Sequence, residues 1–181
     1  YVKEIKKRKH IMTKEIMEIE LKDGIVKIAL LPDVAPKHVK RIKKLTEEGS
    51  YDNVAFHRVI EGFMAQTGDI KYGNTEKGSN MSLVGTGGSS YSDLDAEFSN
   101  LPFDRGSVGM ARSQNPNSAN SQFFIMFQNG HFLNGQYTVF GHVVEGMEYV
   151  DKIKMGDSND NGSVNDPDCM LKVRIIEESK W

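Results

Sequence analysis

Cysteine is nearly absent: Cys169 is the only one in 181 residues, so no disulfide forms within the chain and no cysteine-rich zinc site can be built. Long apolar runs are missing too. The longest, Phe123-Phe124-Ile125-Met126-Phe127, is far short of the roughly 20 residues a helix needs to span a bilayer. Charge of one sign is not in excess: Lys and Arg total 23 against 25 Asp and Glu, for a net charge of −2 at pH 7. That balance argues against a nucleic-acid binder working through a basic face. No internal repeat is visible. What is present, 38% hydrophobic and 27% charged residues, is enough apolar material for one core in a chain of about one domain's length. Stability must come from packing.

Residues 1–14 carry Lys3, Lys6, Lys7, Arg8, Lys9 and Lys14 against Glu4, and are expected to form a flexible basic extension ahead of a single domain over 15–181. The extension lacks the apolar stretch of a secretion signal, and Met12 offers an alternative start. The expected compartment is therefore the cytoplasm, or the periplasm if a signal has been removed. Residues 16–21 and 25–30 partly alternate around Lys22-Asp23-Gly24, which predicts a β-hairpin. Pro36 suits a first helical position, Val39, Ile42 and Leu45 recur at helical spacing, and Gly49 ends the segment. β-prone runs follow over 54–59, 62–66, 106–110, 122–127 and 138–144, separated by Gly, Asn and Ser. Their spacing predicts a mainly β fold, an antiparallel barrel or sandwich. A second helix is predicted over 145–155, with Met147, Val150 and Ile153 inward and Gly156 at its end. A last strand over 171–176 is expected to pair back to the first hairpin. Residues 71–95, rich in Gly, Ser and Asn, read as a long surface loop of the kind that is often functional.

Four motifs then stand out in order: FHRVI-x-GFM-x-Q-x-GD over 56–69, GTGG over 85–88, SQFFI over 121–125 and L-x-G-x-x-x-VFG over 133–141. In these motifs the sequence resembles the cyclophilin family of peptidyl-prolyl cis/trans isomerases, over roughly residues 15–177. The RSQNPNSANSQFF run from Arg112 and the 71–95 loop look more like bacterial members than animal ones. The resemblance implies a closed eight-stranded antiparallel β-barrel capped by two α-helices. Small barrels fill their interior with side chains, so the substrate groove lies outside. Period-2 alternation then lets Arg58, Met64 and Gln66 share an outer face.

The implied reaction is rotation about an X-Pro amide, whose partial double bond sets a barrier of roughly 18–20 kcal/mol. No bond is made or broken, so no cofactor, metal, nucleophile or general base is expected. Twisting the amide frees the nitrogen lone pair from resonance, and a fixed cationic donor aimed at it favours the transition state over either planar isomer. Arg58 is the expected donor, permanently charged and rigidly forked. Gln66 is expected to orient it and to bind the substrate backbone. By resemblance, Phe63, Met64, Phe124 and Leu133 line the proline pocket, with Phe132 and Tyr137 at its rim. Ala111, Arg112 and Gln122 are implied contacts for the extended substrate; the first two act through main-chain groups, so the Arg112 side chain matters little.

Phe132 stands where many eukaryotic members carry a tryptophan that donates a hydrogen bond to cyclosporin. Phenylalanine has no such donor, so weakened cyclosporin binding with isomerase activity retained is expected. Tyr137 stands where animal members often have histidine. The implied partners are proline-containing unfolded or flexible polypeptides, in assistance to folding; a monomer is expected, without nucleic acid or a membrane span. A binding module of the same fold is the second reading, and docking of the basic extension on an acidic partner a third. The intact set of Arg58, Gln66 and Phe124 favours the enzyme.

Other features read more plainly. His57 lies next to Arg58, but neighbours on a strand point to opposite faces, so it is expected to point away and pack. His38, His131 and His142 lack metal-ligand spacing and read as surface or packing residues, and Cys169 as an inert thiol. The run Asp157-Ser158-Asn159-Asp160-Asn161-Gly162 opens like an EF-hand calcium loop. Its twelfth position is Asp168 instead of a bidentate glutamate, Pro167 precedes it and a strand follows, so a polar turn is preferred. Gly85-Thr86-Gly87-Gly88 has no lysine in Walker position and reads as a backbone turn at the groove edge.

Overall fold

The computed structural model describes residues 13–179. Strand β1 (Thr13–Leu21) takes in Thr13 and Lys14; the rest of the expected basic extension lies outside the described residues. β1 and β2 (Gly24–Leu30) make the predicted hairpin, with Leu21 opposite Gly24 across Lys22-Asp23. Met17, Ile19 and Leu21 alternate with Glu18 and Glu20, Val26 and Ile28 flank Lys27, and all five apolar residues enter the main core.

Helix α1 (Pro36–Glu47) starts on a proline whose missing N–H costs nothing there. It buries Val39, Ile42 and Leu45, as the spacing predicts, and with them His38 and Thr46. Its first free N–H groups are met by Glu97, which accepts from Lys37 N at 3.2 Å and His38 N at 2.9 Å. A carboxylate there also opposes the positive end of the helix. Gly49, at φ +75°, takes the left-handed turn that ends the helix, and Ser50 N closes back on Leu45 O at 3.0 Å.

The remaining strands are β3 (Val54–Ala55), β4 (Arg58–Ile60), β5 (Met64–Thr67), β6 (Ser107–Met110), β7 (Phe123–Met126), β8 (Val139–Glu145), β9 (Cys169–Met170) and β10 (Lys172–Ser179). Eight of them form one antiparallel sheet in the order β10-β1-β2-β8-β6-β7-β5-β4, while β3 and β9 pair separately. The last strand returns to the first hairpin, from Thr13 opposite Ser179 to Glu20 opposite Lys172. The run expected over 54–59 is two strands. Phe56 N is taken by Asp168 O at 2.8 Å, and β3 turns to β9 while β4 turns to β5.

The second helix is shorter than its sequence pattern predicts. Glu145 completes β8, and Gly146 at φ +87° makes a corner so close to β2 that a Cβ would lie 2.3 Å from Ile25 O. Only Met147–Val150, α2, is helical; Lys154 N is then drawn off by Asp168 Oδ2 at 2.9 Å. Val150 and Ile153 are buried as the spacing predicts.

The central strands carry a separate apolar cluster on each face. Phe123 points into the main core, edge-on to Tyr51 and Phe140. Its neighbour Phe124 points the other way, into a smaller cluster with Met64, Phe103, Met126, Leu133 and Val139. The site is built on that second cluster.

Candidate active site

Strand register brings distant residues into one row: Arg58 on β4 lies opposite Gln66 on β5, Gln66 opposite Phe124 on β7, and Phe124 opposite Gly109 on β6. All four lie one strand apart on neighbouring ladders, so the row needs no loop to assemble. A cleft of about 690 Å³ opens over it, lined among others by Arg58, Phe63, Met64, Gln66, Ala111, Arg112, Phe124, Phe132, Leu133 and Tyr137. An adjoining cleft of about 480 Å³ shares Gln66, Ala111 and Arg112 and adds Gln122. Every site residue expected from the sequence therefore falls at one of two contiguous clefts.

The floor is apolar. Met64, Phe124 and Leu133 are buried beneath it, with Phe124 stacked on Phe103 at 5.8 Å and edge-on to Tyr137 at 5.9 Å. Gly109 makes the stack possible: a Cβ there would stand 2.6 Å from both Phe103 Cε1 and Phe124 Cζ. Phe63 packs against Phe132 at 5.5 Å, and Phe132 leans out over the cleft, 72% exposed. The Arg112 guanidinium stacks over Tyr137 at 4.3 Å and donates to Ser113 O and Gln136 O. Its side chain thus braces the rim, a role that the sequence does not announce.

A polar relay runs along the other wall. Arg58 Nη1 donates to Gln66 Oε1 at 3.1 Å, Gln66 Nε2 to Gln122 Oε1 at 3.0 Å, and Gln122 Nε2 to Gly85 O at 2.9 Å and Gly87 O at 2.8 Å. The same turn is gripped from behind by Asp69, fully buried, whose Oδ2 accepts from Gly85 N and Gly87 N while Oδ1 accepts from Lys71 N and Tyr72 N. The Gly85–Gly88 segment is thus a backbone turn at the groove edge, held through both its amides and its carbonyls. Arg58 also donates from Nε to Asn161 O at 3.0 Å and from Nη2 to Asn161 Oδ1 at 3.1 Å.

Burial pulls the Arg58 guanidinium below the ordinary arginine value while Tyr137 acts the other way, and it stays a cation. Burial also lowers His57, against the opposing pull of Asp69, so this histidine is neutral at pH 7. It is 6% exposed, forms part of the cleft wall behind Arg58, and neither ring nitrogen has a hydrogen-bond partner among the described residues. Among the described residues no nucleophile and base are paired in the cleft, and what the arrangement offers is a cation at the edge of an apolar floor.

The family described as cyclophilin type peptidyl-prolyl cis-trans isomerase/CLD matches residues 16–175. The chain belongs to that family. This cyclophilin is 65% identical over 162 residues, 90% of its own chain and 83% of the relative's, to a probable peptidyl-prolyl cis-trans isomerase of Brucella suis. It is 37% identical over 167 residues, 86% of this chain and 95% of the relative, to peptidyl-prolyl cis-trans isomerase B of Escherichia coli. A cyclophilin of Cryptosporidium parvum, solved in the presence of the dipeptide Ala-Pro, superposes with a TM-score of 0.74 at 32% identity, covering 89% of this chain and 98% of that one. The activity of this chain is cis-trans isomerisation of peptide bonds that precede proline.

Several contributors to this cyclophilin's site were missed in the sequence. Phe103 and Gly109 shape the floor through contacts that no local pattern announces. Asp69 closes the first motif but its four backbone partners lie up to 18 residues away. Asn161 sits within the calcium-like run, in which Asp157 Oδ1 accepts from Asn159 N and Asp168 pairs with Lys22 at 3.1 Å. Among the described residues, no three His, Cys, Asp or Glu side chains gather in a way that holds a metal ion.

Proposed function

We propose that this cyclophilin seats the proline ring on Met64, Phe124 and Leu133 and turns the preceding amide against Arg58. The observation that carries the reading is the guanidinium fixed by Gln66 at the edge of that floor. As the amide twists, its nitrogen becomes an acceptor, and a donor that meets only the twisted form lowers the barrier without stabilising either planar isomer. Phe63 and Phe132 close the pocket on one side and Tyr137, braced by Arg112, on the other. Ala111, Gln122 and the carbonyl-rich turn at Gly85 border the path of an extended chain, so the substrates are flexible or unfolded polypeptide segments, and the service is to folding steps limited by proline. The protein acts as a monomer, and cyclosporin binds it weakly because Phe132 has no donor.

A protease-coupled assay on a short Xaa-Pro peptide tests the assignment. Arg58→Ala is expected to lose on the order of 10²-fold in rate, the usual cost of removing one preorganised donor, while peptide affinity stays within a few-fold. A variant as fast as wild type overturns the role of Arg58.

A further inference from the structure

The chain after Gly156 runs beside β4 like an added strand. Gly156 N donates to Val59 O at 2.8 Å, Val59 N to Gly162 O at 2.9 Å and Val164 N to His57 O at 3.2 Å, and Arg58 faces Ser163 across an antiparallel bridge. β4 is an end strand of the sheet, and this segment occupies backbone groups that an edge would otherwise leave open. The segment is also closed on itself. Asp157 O accepts from Asp160 N at 3.0 Å and Gly162 N at 2.8 Å, and Asp157 N donates to Ser163 O at 2.9 Å. Its fit allows no slack: a Cβ on Gly162 would stand 2.6 Å from Ile60 Cγ1, and one on Gly156 1.9 Å from Gly162 O.

Asn161 is held at the tip of this turn at φ 53°, a left-handed conformation that asparagine tolerates better than most residues. A guanidinium has five N–H donors. Asn161 takes two of those on Arg58, through O and Oδ1, and Gln66 takes a third. One N–H on each Nη is left without an acceptor among the described residues.

We infer that Asn161 is a positioning residue for the isomerisation, fixing the plane of the Arg58 guanidinium so that its two remaining donors are aimed before substrate arrives. The inference rests on Arg58 as the donor. Gln66 alone holds a single nitrogen and leaves the fork free to swing. The Nε and Nη2 donors form one edge of the guanidinium, and two acceptors from a single rigid residue set its plane. An electrostatic catalyst gains from donors that are already oriented, since no reorganisation is then needed during the reaction. A neutral amide suits the task, because it holds the cation without offsetting its charge.

Asn161→Gly removes Oδ1 while keeping the main-chain acceptor and the left-handed turn. The test follows ¹⁵N relaxation of Arg58 Nε, the isomerisation rate of bound peptide by NMR exchange, and peptide Kd. Arg58 is expected to be ordered in the wild type and mobile in the variant, with bound-state isomerisation about tenfold slower and Kd within about twofold. A mobile Arg58 with an unchanged rate overturns the inference, as does a slower rate with Arg58 still ordered, or no change in either. Arg58→Ala, measured alongside, separates the two claims: a wild-type rate there sinks the Arg58 assignment itself.

Discussion

Replacing Gly109 with alanine tests whether the floor of the proposed proline pocket is set by rigid packing. The new Cβ would stand 2.6 Å from Phe103 Cε1 and Phe124 Cζ, where ordinary contact begins at 3.4 Å, so a ring must retreat by about 0.8 Å. Neither has an easy path. Phe103 is fully buried and Phe124 is 5% exposed, the two are stacked at 20°, and Tyr137 abuts Phe124 edge-on at 86°. Overpacking of this kind costs about 1–3 kcal/mol, and each kcal/mol lowers Tm by about 2–4 °C in a domain of this size. The effect on turnover is expected to be larger, since displacing a positioning surface by about 1 Å can cost on the order of 10²-fold. Thermal unfolding and kcat/KM on an Xaa-Pro peptide measure the two. Phe103→Leu in the same background, which gives the methyl room, should recover some of each loss. A Gly109→Ala protein with wild-type Tm and wild-type rate would refute the argument, because the floor would then yield freely.

Asp69→Asn replaces an acceptor of four N–H groups by one that must turn an NH₂ toward some of them, and should cost about 2–4 kcal/mol; an unchanged denaturant midpoint contradicts it. Burial holds His38 and His57 below the ordinary histidine value, so below about pH 6.5 the unfolded chain binds protons that the folded one refuses. Stability is therefore full above that pH and falls as pH drops through it, by up to about 1.4 kcal/mol per pH unit for each histidine. Melting curves between pH 8 and 5 that superimpose would show the reasoning wrong. Phe132→Trp should tighten cyclosporin inhibition by a few-fold to about tenfold, the worth of one neutral hydrogen bond; inhibition assays that show no gain would remove Phe132 as the cause of weak binding.

What could be read from the sequence follows a physical division. The hairpin, α1 and the return of β10 were legible because periods of 2 and 3.6 act over a few residues. Alternation also let Arg58, Met64 and Gln66 share a face, and the motifs put Arg58, Gln66 and Phe124 in one site. The length of α2 was not legible, since Gly146 and Asp168 end it through contacts with β2 and with Lys154. β9 spans two residues, too few for any period. Asn161 lies 103 positions from Arg58 and belongs to a run whose acidic spacing suggests a cation, while its structural partner is a guanidinium. In each case the missing information was a contact distant in sequence.

On the proposed reading, the apolar floor and the cation act on one transition state from different sides. A planar amide owes its rigidity to resonance that places partial negative charge on oxygen and partial positive charge on nitrogen. Water stabilises that separation, and an apolar pocket does so less, so the proposed seating of the prolyl amide on Met64, Phe124 and Leu133 would weaken the hold on the planar form. The twisted form loses the charge separation and exposes a basic nitrogen, which only a fixed donor can meet. On the proposed reading, neither element suffices. A hydrogen bond to a charged group contributes about 1.5–3 kcal/mol, small beside a barrier of roughly 18–20 kcal/mol, and the floor alone distinguishes nothing about the direction of the lone pair. The relay from Arg58 through Gln66 and Gln122 to the turn held by Asp69 keeps the cation at the edge of the cleft, where on the proposed reading it meets the nitrogen while the ring stays dry. Loosening that relay at any link should therefore slow isomerisation more than it weakens binding of the planar peptide.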